Sequence, residues 1–179
     1  MTPVATRTIH VVQGEHAVSH EADVVLVTVL GSCVAACLFD PDSKVGGMNH
    51  FLLPDGPDPS DIRYASAAME RLVNSLLKKG AARQRLRAKL FGGARMLAGL
   101  PDIGDRNARA ALAFLESEAI PCVAAHLGGT RARRIRFWPA SGRAEMQLVE
   151  APAPIVEDRI RSLPWGGSVE LFADHARRR

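Results

Sequence analysis

The chain of 179 residues is poor in cysteine, in aromatic residues and in long apolar runs, and each shortage closes off a class of protein. Its three cysteines, Cys33, Cys37 and Cys122, are odd in number and include no CxxC pair. That speaks against a zinc site and a disulfide framework and fits a reducing compartment. Cys37, among Ala36, Leu38 and Phe39, reads as a packing residue, and so does Cys122 behind Pro121. The longest early apolar run, Val24 to Leu30, is interrupted by Thr28 and is too short to cross a bilayer. With no targeting, lipidation or membrane-spanning signal, a cytoplasmic protein without membrane insertion is expected. Aromatics make up 5% of the chain, and no helix-turn-helix, zinc-finger or RNA-binding signature accompanies its arginines at Arg131, Arg133, Arg134, Arg136 and Arg177 to Arg179. Arg134 and Arg136 alternate with Ile135 and Phe137 as in a half-exposed strand, so no nucleic-acid partner is expected despite a net charge of +4.

What is present is a foldable mixture. Hydrophobic residues are 47% of the chain, enough for one domain with a substantial core. Residues 1–179 are expected to form a single domain, with 151–179 as a C-terminal extension. Strands are expected over 8–12, 23–30, 34–39, 45–52, 86–91, 121–127, 133–138 and 144–150. Tyr64 to Lys79 is the clearest helix, with Met69, Leu72, Val73, Leu76 and Leu77 at helical spacing and Gly80 to close it. A second helix is expected from Arg106 to Glu118, with Ala108, Ala111, Leu112 and Leu115 on one face. Ser141-Gly142 suits a hairpin turn, and Asp55 to Asp61 a surface loop. The fold class is α+β, with two packed mixed β-sheets and helices on one outer side.

The most informative segment is Gly31-Ser32-Cys33, followed after a turn by Gly47-Met48-Asn49-His50. Asp40-Pro41-Asp42-Ser43-Lys44 is turn chemistry between two apolar runs. A two-residue loop would pair positions summing to 83 and set Cys33 opposite His50. A four-residue loop would shift the sum to 85 and keep both on one face, whereas a three-residue loop would part them. A bulge at Gly46-Gly47 could also change the register. Chemically, an imidazole beside a thiol can take its proton and later return it to a departing amine. The small backbone of Gly31 and Ser32 could bring N–H groups to an oxyanion, with Asn49 as a further site-shaping residue. The plain alternative is a buried small cysteine and a satisfied core histidine.

Leu30-Gly31-Ser32-Cys33-Val34-Ala35-Ala36-Cys37-Leu38 and Gly46-Gly47-Met48-Asn49-His50-Phe51-Leu52-Leu53-Pro54 closely resemble the chemoreceptor glutamine deamidase family, CheD. Three later blocks agree in order: Ala88-Lys89-Leu90-Phe91-Gly92-Gly93-Ala94 with Met96; Ile103-Gly104-Asp105-Arg106-Asn107; and Leu127-Gly128-Gly129 with Arg134 and Ile135-Arg136-Phe137. The resemblance implies a β-sandwich flanked by helices. It also implies a cysteine-dependent amidohydrolase, a protein-glutamine glutaminase that converts chosen receptor glutamines to glutamate and ammonia. By that likeness Cys33 is the nucleophile and His50 the general base and acid, with no metal and no organic cofactor. The partners implied are the cytoplasmic domains of methyl-accepting chemoreceptors and a chemotaxis phosphatase of the CheC type.

Two departures stand out. The family's threonine falls six residues before the cysteine, where this chain has Val27; Thr28 is one residue later and would need a bulge or altered turn to face the site. The alternative for Thr28 is an ordinary strand residue. At His126 the family usually carries an acid, and a strand-end residue of no special role is expected there. The valine also keeps open a non-catalytic or weakly catalytic module that regulates the phosphatase; a hydrolase of small amides ranks last. Arg131, Arg133, Arg134 and Arg136, with Arg177 to Arg179, are expected to meet acidic receptor helices.

Overall fold

The computed structural model describes residues 5–53, 60–150 and 169–172. Two mixed five-stranded sheets pack face to face, and two helices cover the outer side of one of them. The first sheet holds β1 (Arg7–His10), β3 (Val24–Leu30), β8 (Arg133–Trp138), β9 (Arg143–Leu148) and β10 (Val169–Phe172), in that order. The second holds β2 (His16–Ser19), β5 (Val45–Asn49), β4 (Val34–Asp40), β6 (Arg87–Gly92) and β7 (Cys122–Leu127). Each sheet contains one parallel pair, β1 with β3 and β6 with β7. Helices α1 (Ser60–Lys78) and α2 (Ile103–Ser117) lie against the second sheet.

Strand β4 is buried along its whole length because both its faces are covered. Val34, Ala36 and Leu38 pack toward the helices, with Met69, Leu72 and Leu76 of α1 and Ala111 and Leu115 of α2. Ala35, Cys37 and Phe39 point the other way and meet Leu26, Leu30, Ile135 and Phe137 between the sheets. The two faces of one apolar strand thus build the two layers of core.

The β4–β5 hairpin takes the four-residue turn. Cys37 pairs with Met48 and Asp40 with Val45, a sum of 85. The carboxylate of Asp40 accepts the N–H groups of Asp42 and Ser43, which caps the turn. The register is continuous to the bridge between Val34 and Phe51, so Gly46-Gly47 does not bulge.

Helix α1 closes as expected: Ala81 N–H reaches Leu76 C=O and Gly80 N–H reaches Leu77 C=O, with Gly80 at φ +105°. It starts at Ser60, so the last two residues of the expected Asp55–Asp61 loop are helical, and residues 55–59 lie outside the described residues. Helix α2 begins three residues early, capped by Asp102 accepting from Asp105 N–H. Phe114 is buried on it, whereas Leu112 is 42% exposed. Ser141-Gly142 turns the β8–β9 hairpin. Two strands escaped the sequence reading, the short polar β2 and β10, which returns part of the expected C-terminal extension to the edge of the first sheet. Cys122 is exposed rather than packed, because it opens β7, an edge strand.

Candidate active site

The Gly31–Cys33 loop is tied down from behind at every carbonyl. Gly31 C=O accepts from Ala94 N–H at 2.9 Å and Cys33 C=O from Gly93 N–H at 2.8 Å. Ser32 C=O accepts from Asn107 Nδ2 of α2 at 2.8 Å. The close approach needs glycine: at Gly92, φ +114°, a Cβ would stand 2.1 Å from the oxygen of Cys33. At Gly104 a Cβ would meet the oxygens of Gly93 and Ala94, so its absence lets α2 press against that support.

His50 follows the end of β5, and its backbone turns from β4 to the segment before β2. Its N–H donates to Glu15 C=O at 3.1 Å, and its C=O accepts from Gly14 N–H at 2.8 Å. Its Nδ1 lies 2.9 Å from Thr28 Oγ1 and 3.2 Å from Val11 C=O, while Thr28 Oγ1 lies 2.7 Å from the same carbonyl. A carbonyl only accepts, so the Thr28 hydroxyl must donate to Val11. Its proton thus committed, the hydroxyl can only accept from Nδ1–H of His50. In the neutral ring this assignment leaves the lone pair on Nε2, the form of a general base.

Thr28 reaches His50 without a bulge. Leu26, Thr28 and Leu30 alternate inward along β3, the pairings to β1 and β8 run without a slip, and half-buried Val27 faces outward. Counting back from Cys33 misled because the count passes through the Gly31-Ser32 loop, where strand parity is lost.

Cys33 is half-buried against the inter-sheet core, the side to which His50 also turns. Its thiol donates to Gln13 Oε1 at 3.7 Å, and Gln13 belongs to the same Val11–Glu15 segment that holds His50. In register 85 His50 falls opposite Ala35, so Cys33 and His50 are diagonal neighbours rather than direct opposites. Asn49 faces the other way: its Oδ1 accepts from Ala36 N–H at 2.9 Å, and its Nδ2 turns to Ala68 and Met69 on α1. It fastens β5 to β4 and is not among the groups at the thiol. The sequence reading missed Val11, Gln13 and the role of Asn107; the signal for the last was its place inside a matching block.

Ser32 also borders an open, mostly apolar cleft of about 80 Å³ with Met96, Leu97, Leu100 and Ile103. Cys37, deeper on the face of Cys33, has its thiol pushed far up by burial, only partly opposed by Lys89. Of the arginines expected to meet a partner, Arg133, Arg134 and Arg136 are used internally, whereas Arg131 is exposed and pairs with Glu150. Arg133 is 1% exposed, and its guanidinium donates to the carbonyls of His126, Gly128 and Arg131 and to His126 Nδ1. Arg134 is 7% exposed, and Arg136 stacks on Trp138 and pairs with Glu145. His126 therefore has a part in holding that turn and packs edge-on to Phe172. Arg177 to Arg179 lie outside the described residues. Among the described residues no cluster of three His, Cys, Asp or Glu could hold a metal ion, and no helix is long and apolar enough to cross a membrane.

Comparison with known proteins bears on this arrangement. Residues 52–148 match the family model for CheD, described as chemotactic sensory transduction. A protein of Acidiphilium cryptum (strain JF-5) named probable chemoreceptor glutamine deamidase CheD is 52% identical, over 96% of this chain and all of that one. Proteins of the same name from Caulobacter sp. (strain K31) and Agrobacterium fabrum (strain C58 / ATCC 33970) are 51% and 45% identical, covering 92% and 88% of this chain and 92% and 98% of theirs. Among solved structures, the chain is similar to Neisseria meningitidis protein NMB0706 with a TM-score of 0.45 at 10% identity, over 69% of this chain and 63% of that one.

Proposed function

The chain belongs to the CheD family of chemotactic sensory transduction, and from that membership we propose that it deamidates selected glutamines on the cytoplasmic domains of chemoreceptors through a Cys33 thioester. His50 Nε2 takes the thiol proton, and the thiolate attacks the side-chain amide carbon of the receptor glutamine. The tetrahedral oxyanion collapses, and ammonia leaves with the proton that His50 returns. Water, deprotonated by the same nitrogen, cleaves the γ-glutamyl thioester to glutamate and regenerates the thiol. Thr28 acts by holding Nδ1, which keeps the ring in the tautomer that can accept at Nε2.

The observation that carries this reading is the chain from Val11 C=O through the Thr28 hydroxyl to His50, beside a cysteine on a backbone-pinned loop. Because Thr28 supplies the hydroxyl, Val27 no longer argues for a module that only binds. The open cleft beside Ser32 suits a macromolecular substrate better than an enclosed metabolite.

The test is peptide mass spectrometry of a receptor cytoplasmic fragment after incubation with wild-type protein, Cys33→Ser and His50→Ala. Amide-to-acid conversion at specific glutamines with the wild type alone is the expected result. Unmodified receptor with all three, alongside binding to a phosphatase of the CheC type, would replace the catalyst with a regulatory module.

A further inference from the structure

We propose that Asn107 is the positioning residue of the oxyanion hole: its side chain fixes the Ser32–Cys33 peptide so that the Cys33 N–H faces the reacting carbonyl. The inference rests on the thioester reading above. In a trans peptide the N–H points opposite to the C=O of the preceding residue. Asn107 holds Ser32 C=O on the helix side of the loop at 2.8 Å, which sends the Cys33 N–H to the other side. Ala94 N–H holds Gly31 C=O in the same manner and directs the Ser32 N–H. Two of the three anchors behind the loop are backbone N–H groups; Asn107 alone is a side chain.

The amide of Asn107 has one possible orientation. It is fully buried, and its Oδ1 accepts the N–H of Leu53 at 2.9 Å. A flipped amide would set oxygen against the Ser32 oxygen and NH₂ against the Leu53 N–H. Leu53 lies three residues beyond His50, so this one side chain spans the segment that carries the base and the loop that carries the nucleophile. Aspartate could still accept from Leu53 but could not donate to Ser32 when ionised. Leucine of similar volume would leave both buried backbone groups without a partner.

Asn107→Asp and Asn107→Ser are compared with the wild type by three readouts: receptor deamidation resolved into kcat and KM, alkylation of Cys33 by iodoacetamide, and thermal midpoint. Alkylation needs the thiolate but develops no oxyanion, so it separates loop polarity from loop collapse. Expected are a kcat lower by about a hundredfold to a thousandfold, the range for loss of an oxyanion donor, an unchanged KM, and alkylation within about twofold of the wild type. If Asn107→Asp does not fold, Asn107→Ser is read alone, and failure of both to fold would overturn the proposal in favour of a purely structural role. A fall of kcat and alkylation together would overturn it likewise, as would kcat unchanged in a variant while the wild type is active. No turnover by the wild type would instead bring down the deamidase reading and this proposal with it.

Discussion

Strand β4 has two ends, and they solve opposite problems. At the Val34 end, the Cys33 thiol is half-exposed, and Gln13 of the Val11–Glu15 segment lies beside it. At the Asp40 end, the carboxylate is buried. Burial alone would raise it, but hydrogen bonds from Arg85 and from the N–H groups of Ala82, Ser43 and Asp42 hold it well below the usual carboxylate range. Between them Cys37 shares the face of Cys33, in a core where its thiol is pushed far up. Two cysteines four residues apart thus differ in environment rather than in residue type.

The largest expected effect tests that division. Cys33→Ser should lower receptor deamidation by at least about a thousandfold, the scale on which an activated nucleophile acts, with the thermal midpoint unchanged. Cys37→Ser should do the reverse: a hydroxyl placed in an apolar core costs about 1–3 kcal/mol if unpaired, while kcat per folded molecule is kept. Peptide mapping after alkylation checks both, with exposed Cys122 as the internal control. Turnover that survived Cys33→Ser and vanished in folded Cys37→Ser would reverse the assignment.

Next comes the orienting hydroxyl. Thr28→Val should lower kcat by about tenfold to a hundredfold, part of the ~10²–10⁴ that general acid–base catalysis supplies, and Thr28→Ser should restore most of it. Valine keeps the strand's shape but removes both the acceptor for Nδ1–H and the donor to Val11 C=O, so a fall in stability without a fall in kcat would count against the orienting role.

The Asp40 end sharpens the comparison through pH. Asp40→Asn should cost about 2 kcal/mol at neutral pH, less than a fully buried pair because Arg85 is more than a third exposed. A carboxyl whose folded pKa lies below its unfolded value near ~3.9 stabilises fully above that value and loses its contribution as pH falls through the folded one. Urea midpoints of wild type and Asp40→Asn should therefore converge below about pH 4. Deamidation per folded molecule should be the same in both at neutral pH.

How much of this could be read from the residues alone depended on how local each cause was. The β4–β5 turn was legible, because turn chemistry is local; the shared face of Cys33 and His50 hung on the loop length and on a possible bulge at Gly46-Gly47. Asn107 was not, since its meaning lies in two backbone groups distant in the chain. Nor were the buried arginines: charge in a strand reads as exposure, yet Arg133 serves the carbonyls of the His126–Arg131 turn. That turn is not idle. Gly128 N–H bonds Gly92 C=O, and Arg95 N–H bonds Gly129 C=O, beside the Gly93 and Ala94 amides that hold the Gly31–Cys33 loop. The separate sequence blocks around Gly92, Gly104, Asn107 and Gly128 thus converge as one support behind Cys33.

The smallest expected effect is at Gln13, on the open side of the same thiol. At 3.7 Å its carboxamide oxygen accepts a weak S–H hydrogen bond in an exposed setting. In the orientation that accepts from the thiol, this oxygen repels a thiolate, so Gln13→Ala should make Cys33 slightly easier to alkylate. The increase should stay below about threefold, matching a net hydrogen bond near ~0.5 kcal/mol. Receptor turnover should move by no more, because every group assigned to proton transfer and loop support remains in place. A loss of deamidation beyond tenfold with alkylation intact would give the carboxamide a part in handling the substrate. The open end of β4 would then owe its function to the Val11–Glu15 wall as much as to the loop behind Cys33.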